Sequence, residues 1–183
     1  YYELLPLSYI TQKRTGVGQA SSEIAKLQGV RLTGTNESSE NDKFNEGVIK
    51  ELTGGDPIQA RALWKDSITF VPQCKVILAT NNLPEITATD EGTWRRIRQI
   101  PFESRFVNNP VHDDPLHPHQ FKKDMTLETR TNHWSETFMA MLVDITFKTN
   151  GIVNDCEKVL ASSNEYRSGQ DVIIKFITEK TRQ

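Results

Sequence analysis

Cysteine is scarce in this chain, which has only Cys74 and Cys156 among its 183 residues. The two are far apart in sequence and form no Cys-x-x-Cys pair. This spacing argues against a disulfide scaffold and against a cysteine zinc site. We therefore expect a reducing intracellular setting.

Long apolar runs and a strong net charge are also missing. No run is long enough to cross a bilayer, and no signal peptide is visible. The formal net charge is −2, so any contact with nucleic acid has to come from a local basic patch. The hydrophobic share of 36% is enough for one domain with an appended tail. Because the chain begins at Tyr1 and not at a methionine, we expect a piece of a longer protein.

The most informative part of the sequence runs from residue 50 to residue 106. A helix is predicted to end at Gly54-Gly55, and the extended segments 58–63 and 68–71 predict a β-hairpin around a polar tip. Residues 74–80 contain the apolar run Val76-Ile77-Leu78-Ala79, which predicts a strand covered on both faces of its sheet.

Polar and basic residues follow that strand. Asn81 stands directly after it, and the cluster Trp94-Arg95-Arg96 comes one loop later. Open α/β sheets bind ligands at the carboxyl ends of their strands, so this edge is the predicted site.

The rest of the chain predicts further helices and one strand by apolar spacing and end signals. The predicted elements are a helix over 22–27 capped by the Ser21-Ser22-Glu23 segment, a strand over 30–36, a helix with Phe44, Val48, Ile49 and Leu52 on one face, a helix over 134–145, a short helix over 153–160 and a last helix from Asp171.

Three motifs in this order carry a resemblance to a known family. They are Leu52-Thr53-Gly54-Gly55-Asp56, Thr80-Asn81-x-Leu83-Pro84 and Trp94-Arg95-Arg96. Together they resemble the superfamily 3 helicase module of viral and phage primase-helicases. The resemblance implies an α/β fold of AAA+ type, a mostly parallel sheet flanked by helices with a β-hairpin insertion. It also implies an ATPase core over 1–107 and a helical region over 108–183.

The resemblance also implies roles for single residues, with ATP and Mg²⁺ as cofactors. Glu37 matches the acid that activates the attacking water. Asn81 matches the sensor asparagine that orients this water or bonds the γ-phosphate. Arg95 or Arg96 matches an arginine finger donated to the neighbouring subunit, since a guanidinium gives a rigid bidentate fork for phosphate oxygens.

The predicted hairpin is the expected DNA contact. Arg61, Trp64 and Lys65 match the part that reaches into the channel of a ring, where a cation meets the backbone and an aromatic stacks on a base. The implied partners are single-stranded DNA, other copies of the chain in a hexameric ring and a fused or associated primase. The implied location is a viral replication site in the host cell, with the cytoplasm as the expected compartment.

Two departures from the family pattern matter. Asn36 precedes Glu37 where the family often carries two acids, and no Gly-x-x-x-x-Gly-Lys-Ser/Thr phosphate loop occurs in the 183 residues. The resemblance places that loop upstream, so this chain alone is expected to lack ATPase activity. The alternative function is a catalytically inactive DNA-binding or assembly module derived from a helicase.

Each assignment has an ordinary structural alternative. Glu37 could cap a helix or loop, Asn81 could be a turn residue, and the arginines could form a solvated face. Trp94 is expected to be a core residue. For Trp64 the core and a stacking contact with a base are both open. A loop rich in metal-ligand residue types, His112, Asp113, Asp114, His117 and His119, is interpreted as solvated and not as a zinc site, because Pro115 and Pro118 interrupt it.

Overall fold

The computed structural model describes residues 1–11, 21–36, 42–112 and 114–171 of the chain. Glu37 and residues 172–183, which hold all but the first residue of the helix predicted from Asp171, lie outside the described residues. The strands are β1 (Tyr2–Leu4), β2 (Leu32–Asn36), β3 (Ile58–Arg61), β4 (Ser67–Phe70), β5 (Lys75–Ala79), β6 (Arg105–Val107) and β7 (Gln120–Lys122). The helices are α1 (Leu7–Thr11), α2 (Ser22–Ala25), α3 (Glu46–Thr53), α4 (Glu91–Trp94), α5 (Leu127–Thr131), α6 (Ser135–Thr149) and α7 (Glu157–Gln170).

The chain divides into two compact units. The first unit consists of residues 1–98 and the chain from Glu165 onwards, and the second unit is residues 99–164. This division does not coincide with the predicted one at residue 107. That prediction concerned an ATPase core and a helical region, and it stays a prediction.

A parallel sheet of three strands, in the order β1-β2-β5, organises the first unit. The register sets Leu4 beside Gly34 and Asn36 beside Ala79. Parallel strands joined through helices are the signature of an α/β fold, as the sequence predicts.

The prediction that β5 is covered on both faces of its sheet is wrong in the described structure. Its residues alternate between exposed and half-buried, and the side chain of Ile77 is 54% exposed. The reason is position, since β5 is an edge strand paired only with β2 within the described residues. The central strand is instead the polar β2, in which Thr33 and Thr35 are buried.

The core of the first unit lies around the short helices and the hairpin. Ile24 and Leu27 are fully buried, and the other members are Leu5, Ile10, Val30, Val48, Leu52, Ile58, Ala60 and Cys74. Helix α3 begins with Asn45, whose side chain accepts a hydrogen bond from the Val48 amide at 3.3 Å. It ends before Gly54-Gly55, where Gly55 adopts a φ of 83° that favours glycine. Both ends of α3 thus follow local signals.

The predicted hairpin is confirmed, with β3 and β4 paired antiparallel from Ile58–Phe70 to Arg61–Ser67. The predicted capping of α2 takes another form. Ser21 makes no side-chain cap and its hydroxyl accepts the Arg61 amide at 3.3 Å, while the Ser22 hydroxyl accepts the Leu63 amide at 3.3 Å. These serines therefore hold the base of the hairpin.

The second unit contains the parallel pair β6-β7 and the helices α5 and α6. The predicted helix over 134–145 is confirmed as α6, which continues to Thr149 and ends at the left-handed Asn150. No described helix in either unit is both long and apolar enough to span a membrane.

Candidate functional site

The carboxyl ends of β2 and β5 lie side by side at one edge of the parallel sheet. Asn36 pairs with Ala79, so each strand ends where the other does. Asn81 follows two positions after Ala79, and Glu37 follows Asn36 in sequence but lies outside the described residues. The register thus shows that the strands preceding Glu37 and Asn81 are neighbours in the sheet.

Asn81 stands at the tip of a tight turn. The Thr80 hydroxyl donates to the Asn82 carbonyl at 2.7 Å and accepts from the Asn82 amide at 3.2 Å. Asn81, between them, is exposed. Thr80 and Asn82 therefore make the turn, and the amide of Asn81 is presented to solvent.

The arginine cluster separates into two environments. Arg96 is half-buried, its guanidinium donates to the Gly92 carbonyl, and its Nε is buried with no hydrogen-bond partner among the described residues. Arg95 is exposed, and within the described part of the chain no hydrogen bond or ion pair holds its guanidinium. Of the two, Arg95 has the side chain that is open to a ligand.

Trp94 belongs to the core, as predicted. It is 6% exposed, its indole Nε1 donates to the Ala88 carbonyl at 2.8 Å, and its ring meets the edge of Tyr166 at 5.4 Å between centroids. This fixed tryptophan directly precedes Arg95 in the chain.

The tip of the hairpin is unlike the rest of the first unit. Trp64 is 95% exposed and has a φ of 60°, although it is a bulky residue. The Lys65 amide donates to the Ala62 carbonyl at 3.1 Å and closes the turn. An open cleft is lined by Arg61, Leu63, Trp64 and Lys65. The three residues predicted to contact DNA are therefore brought together at one exposed place.

Sequence reasoning missed two residues of α3, Glu46 and Lys50. One Glu46 oxygen accepts from the amides of Thr87 and Ala88 at 3.0 and 2.9 Å and from the Thr87 hydroxyl at 2.8 Å. Burial opposes ionisation of Glu46, but these bonds outweigh it and lower its pKa. Lys50 is a surface lysine whose side chain is 41% exposed, and its amine pairs with Asp90 at 3.0 Å.

Asp90 connects this contact to the arginine cluster. Its carboxylate caps α4 by accepting the amide and hydroxyl of Thr93 at 3.0 and 2.9 Å. The hydrogen bonds from Lys50 and Thr93 lower the pKa of Asp90. The spacing of Glu46 and Lys50, one helical turn apart, was a signal that they share a face, but their partners lie 40 to 42 positions further along the chain.

The histidine-rich loop shows ordinary turn contacts. Asp114 accepts from the Leu116 amide and from the Gln120 side chain, each at 2.9 Å. Asp113 lies outside the described residues. Among the described residues, no group of three histidine, cysteine or acidic side chains has the arrangement of a metal site.

Sequence comparisons relate the chain to viral proteins. A protein of Acanthamoeba polyphaga mimivirus with the name "Putative helicase" is 34% identical over 96% of this chain. A protein of African swine fever virus with the name "Putative primase" is 26% identical over 98% of it, and a frog virus 3 protein with the name "Putative helicase" is 36% identical over 54%. The chain is homologous to viral proteins named as helicases and primases.

The matched part of these relatives is small. This chain spans 19% of the mimivirus protein, 19% of the African swine fever virus protein and 10% of the frog virus 3 protein. Residues 7–96 also match a family of unknown function, DUF5906. That range contains the strands β2 and β5 of the parallel sheet, the hairpin and both arginines of the candidate site, so the homology covers the elements that carry it.

Proposed function

We propose that this chain is part of the ATP-driven motor of a viral replicative DNA helicase of superfamily 3, with an AAA+ fold. The observation that carries the proposal is the hairpin tip. An exposed tryptophan in a left-handed backbone conformation is costly, and such strain concentrates at functional sites. Trp64 stands beside Lys65 and Arg61, the combination of aromatic and cation that binds single-stranded DNA.

The paired ends of β2 and β5 support a nucleotide site. In this proposal Glu37 activates the attacking water and Asn81 orients it, with ATP and Mg²⁺ bound at the same edge. The exposed turn of Asn81 suits that role. The phosphate loop would come from a part of the protein outside these 183 residues.

The environments of the two arginines favour Arg95 as the finger. A finger has to leave its own subunit and reach a neighbour's phosphates, which requires an exposed guanidinium without local partners. Arg95 meets this requirement, whereas Arg96 donates to Gly92 within its own turn. A hexameric ring, in which each nucleotide lies between two subunits, and a primase in the same protein or complex complete the proposal.

A salt titration of single-stranded DNA binding by the full-length protein tests the hairpin. Lys65→Ala should weaken binding and reduce the slope of log K against log salt by about 0.7. Trp64→Ala should cost about 1–3 kcal/mol of binding energy with little change of slope, because it removes stacking and no phosphate contact.

The matched control is Lys148→Ala, which removes an exposed lysine of α6 and should leave both affinity and slope unchanged. If Lys148→Ala and Lys65→Ala change the affinity for single-stranded DNA and its salt slope equally, the hairpin has no special role in DNA binding. If the hairpin binds DNA while the full-length protein hydrolyses no ATP, the inactive DNA-binding module is the better description.

A further inference from the structure

The segment between Asn81 and Arg95 has an unusual construction. Residues 84–94, here the linking segment, contain no ladder hydrogen bonds apart from one bridge between Lys43 and Glu85. Its consecutive amides from residue 85 to residue 88 nevertheless all have protein acceptors. Irregular backbone whose amides are all hydrogen-bonded to the protein is fixed in one conformation.

Helix α3 supplies part of this support through Glu46 and Lys50, and α7 supplies another part. The Tyr166 hydroxyl donates to the Pro84 carbonyl, and the Gln170 side-chain oxygen accepts the Ile86 amide at 3.2 Å. The Arg167 guanidinium pairs with Glu91 at 2.8 Å. Contacts from α7 thus reach the beginning of the linking segment and the start of α4.

Gln170 lies on the same side of α7 as Tyr166 and Arg167 because it follows them by four and three positions. Tyr166 is the best buried of them, at 7% exposed, and burial raises the pKa of its hydroxyl. Its ring packs edge-on against Trp94, with the planes at 84°. Tyr166 therefore contacts Trp94, the residue directly before Arg95.

We propose that Tyr166 and Gln170, assisted by Arg167, are positioning residues that fix the linking segment and thereby the place of Arg95. None of them touches the nucleotide in this account. The inference rests on the proposed function, since Arg95 needs a defined place only if it reaches a phosphate. Arg167 has the smaller part because its partner Glu91 is largely exposed and surface ion pairs contribute little.

The test uses Tyr166→Phe, Gln170→Ala and Gln170→Glu in the full-length protein, with Glu165→Gln, an exposed neighbour on the same helix, as control. Tyr166→Phe keeps the ring and removes only the hydroxyl. Tyr166→Phe and Gln170→Ala should each lower kcat for ATP hydrolysis by about tenfold or more with KM unchanged, since small displacements of catalytic groups cost rate. Gln170→Glu keeps an acceptor for the Ile86 amide and should stay near the wild-type rate.

Amide hydrogen exchange gives a readout that does not depend on activity. Gln170→Ala should speed exchange at Ile86, and Tyr166→Phe should speed it over residues 85–88, while Glu165→Gln should change neither. Unchanged exchange in both variants, or a raised KM with an unchanged kcat, overturns the positioning role.

The failure of this inference differs from the failure of the proposed function. If Arg95→Ala abolishes hydrolysis while Tyr166→Phe and Gln170→Ala keep the wild-type kcat, the finger stands and the positioning role is wrong. If the wild-type full-length protein hydrolyses no ATP, the proposed function is wrong and the positioning role falls with it. If hydrolysis occurs but Arg95→Ala has no effect on it, Arg95 is not the finger, and the positioning role falls while the ATPase activity stands.

Discussion

The two units of this chain bury their apolar side chains to very different extents. The first unit has a cluster of ten buried apolar residues around Ile24 and Leu27. In the described residues of the second unit, only Ser163 is buried. Helix α6 carries Phe138, Leu142 and Phe147 with exposed fractions of 59%, 43% and 79%.

This difference shows that a segment can form a helix without burying its apolar side chains. Helix α6 forms from its own apolar spacing and its i,i+4 contacts, but none of the described residues of its unit covers it. A helix that is apolar on most of its circumference is stable in water only when another surface covers it. The first unit is therefore expected to determine the stability of the 183-residue chain.

A matched pair of leucines gives the largest expected effect. Leu27→Ala should destabilise the chain by about 2–5 kcal/mol, because Leu27 is fully buried and leaves a cavity. Leu142→Ala in α6 should stay within about 1 kcal/mol. Urea unfolding followed by circular dichroism measures both, and equal losses would remove the distinction between the units.

Two threonines of β2 sharpen the description of the first unit. The Thr33 hydroxyl donates to the Glu3 carbonyl at 2.8 Å, whereas the Thr35 hydroxyl is buried without a partner among the described residues. Thr33→Val should cost about 1 kcal/mol, and Thr35→Val should be neutral or stabilising. The same urea unfolding experiment measures both variants. If Thr35→Val loses as much free energy of unfolding as Thr33→Val, the Thr35 hydroxyl has a hydrogen-bond partner.

Acid should loosen the linking segment of the first unit. The pKa of Glu46 is lowered in the folded chain, so its contribution to stability is complete above pH 4.5 and disappears as the pH falls through the lowered value. Glu46→Gln should flatten this acid dependence, because glutamine does not titrate. Unfolding midpoints between about pH 7 and pH 3 measure it, and identical profiles for both proteins would contradict the role of Glu46.

The smallest effect is expected on the second unit. Lys148 pairs with Asp144 at 2.7 Å on the exposed face of α6. Lys148→Ala should change the free energy of unfolding by no more than about 0.5 kcal/mol. A larger loss, measured by the same titration, would mean that α6 is more tightly held than its exposure indicates.

The features predicted correctly from the sequence depend on local signals. The carboxyl end of α3, the hairpin and the body of α6 follow from Gly54-Gly55, from two short extended arms and from apolar spacing. The α/β class was also predicted, although the pairing of β2 with β5 within it was not. Trp94 in the core and Trp64 at an exposed tip are consistent with the analysis of the motifs.

The features that escaped prediction depend on contacts distant in sequence. Within the described residues, the apolar β5 is an edge strand. Strand order is a property of the whole sheet, so the sequence of one segment could not predict it. The contacts of Glu46 with Thr87 and of Tyr166 with Pro84 join residues that are 41 and 82 positions apart. No local pattern identifies such partners.

The most direct test of the central claim is ATP hydrolysis by mixed rings of the full-length protein. Arg95→Ala should lower kcat by about 10³-fold or more, and Glu37→Gln should abolish turnover while ATP still binds. Mixing the two inactive proteins should restore measurable hydrolysis, because some interfaces then combine an intact Glu37 with an intact Arg95. If mixed rings form and stay inactive, or if Arg96→Ala and not Arg95→Ala complements Glu37→Gln, the assignment of Arg95 as the finger is contradicted.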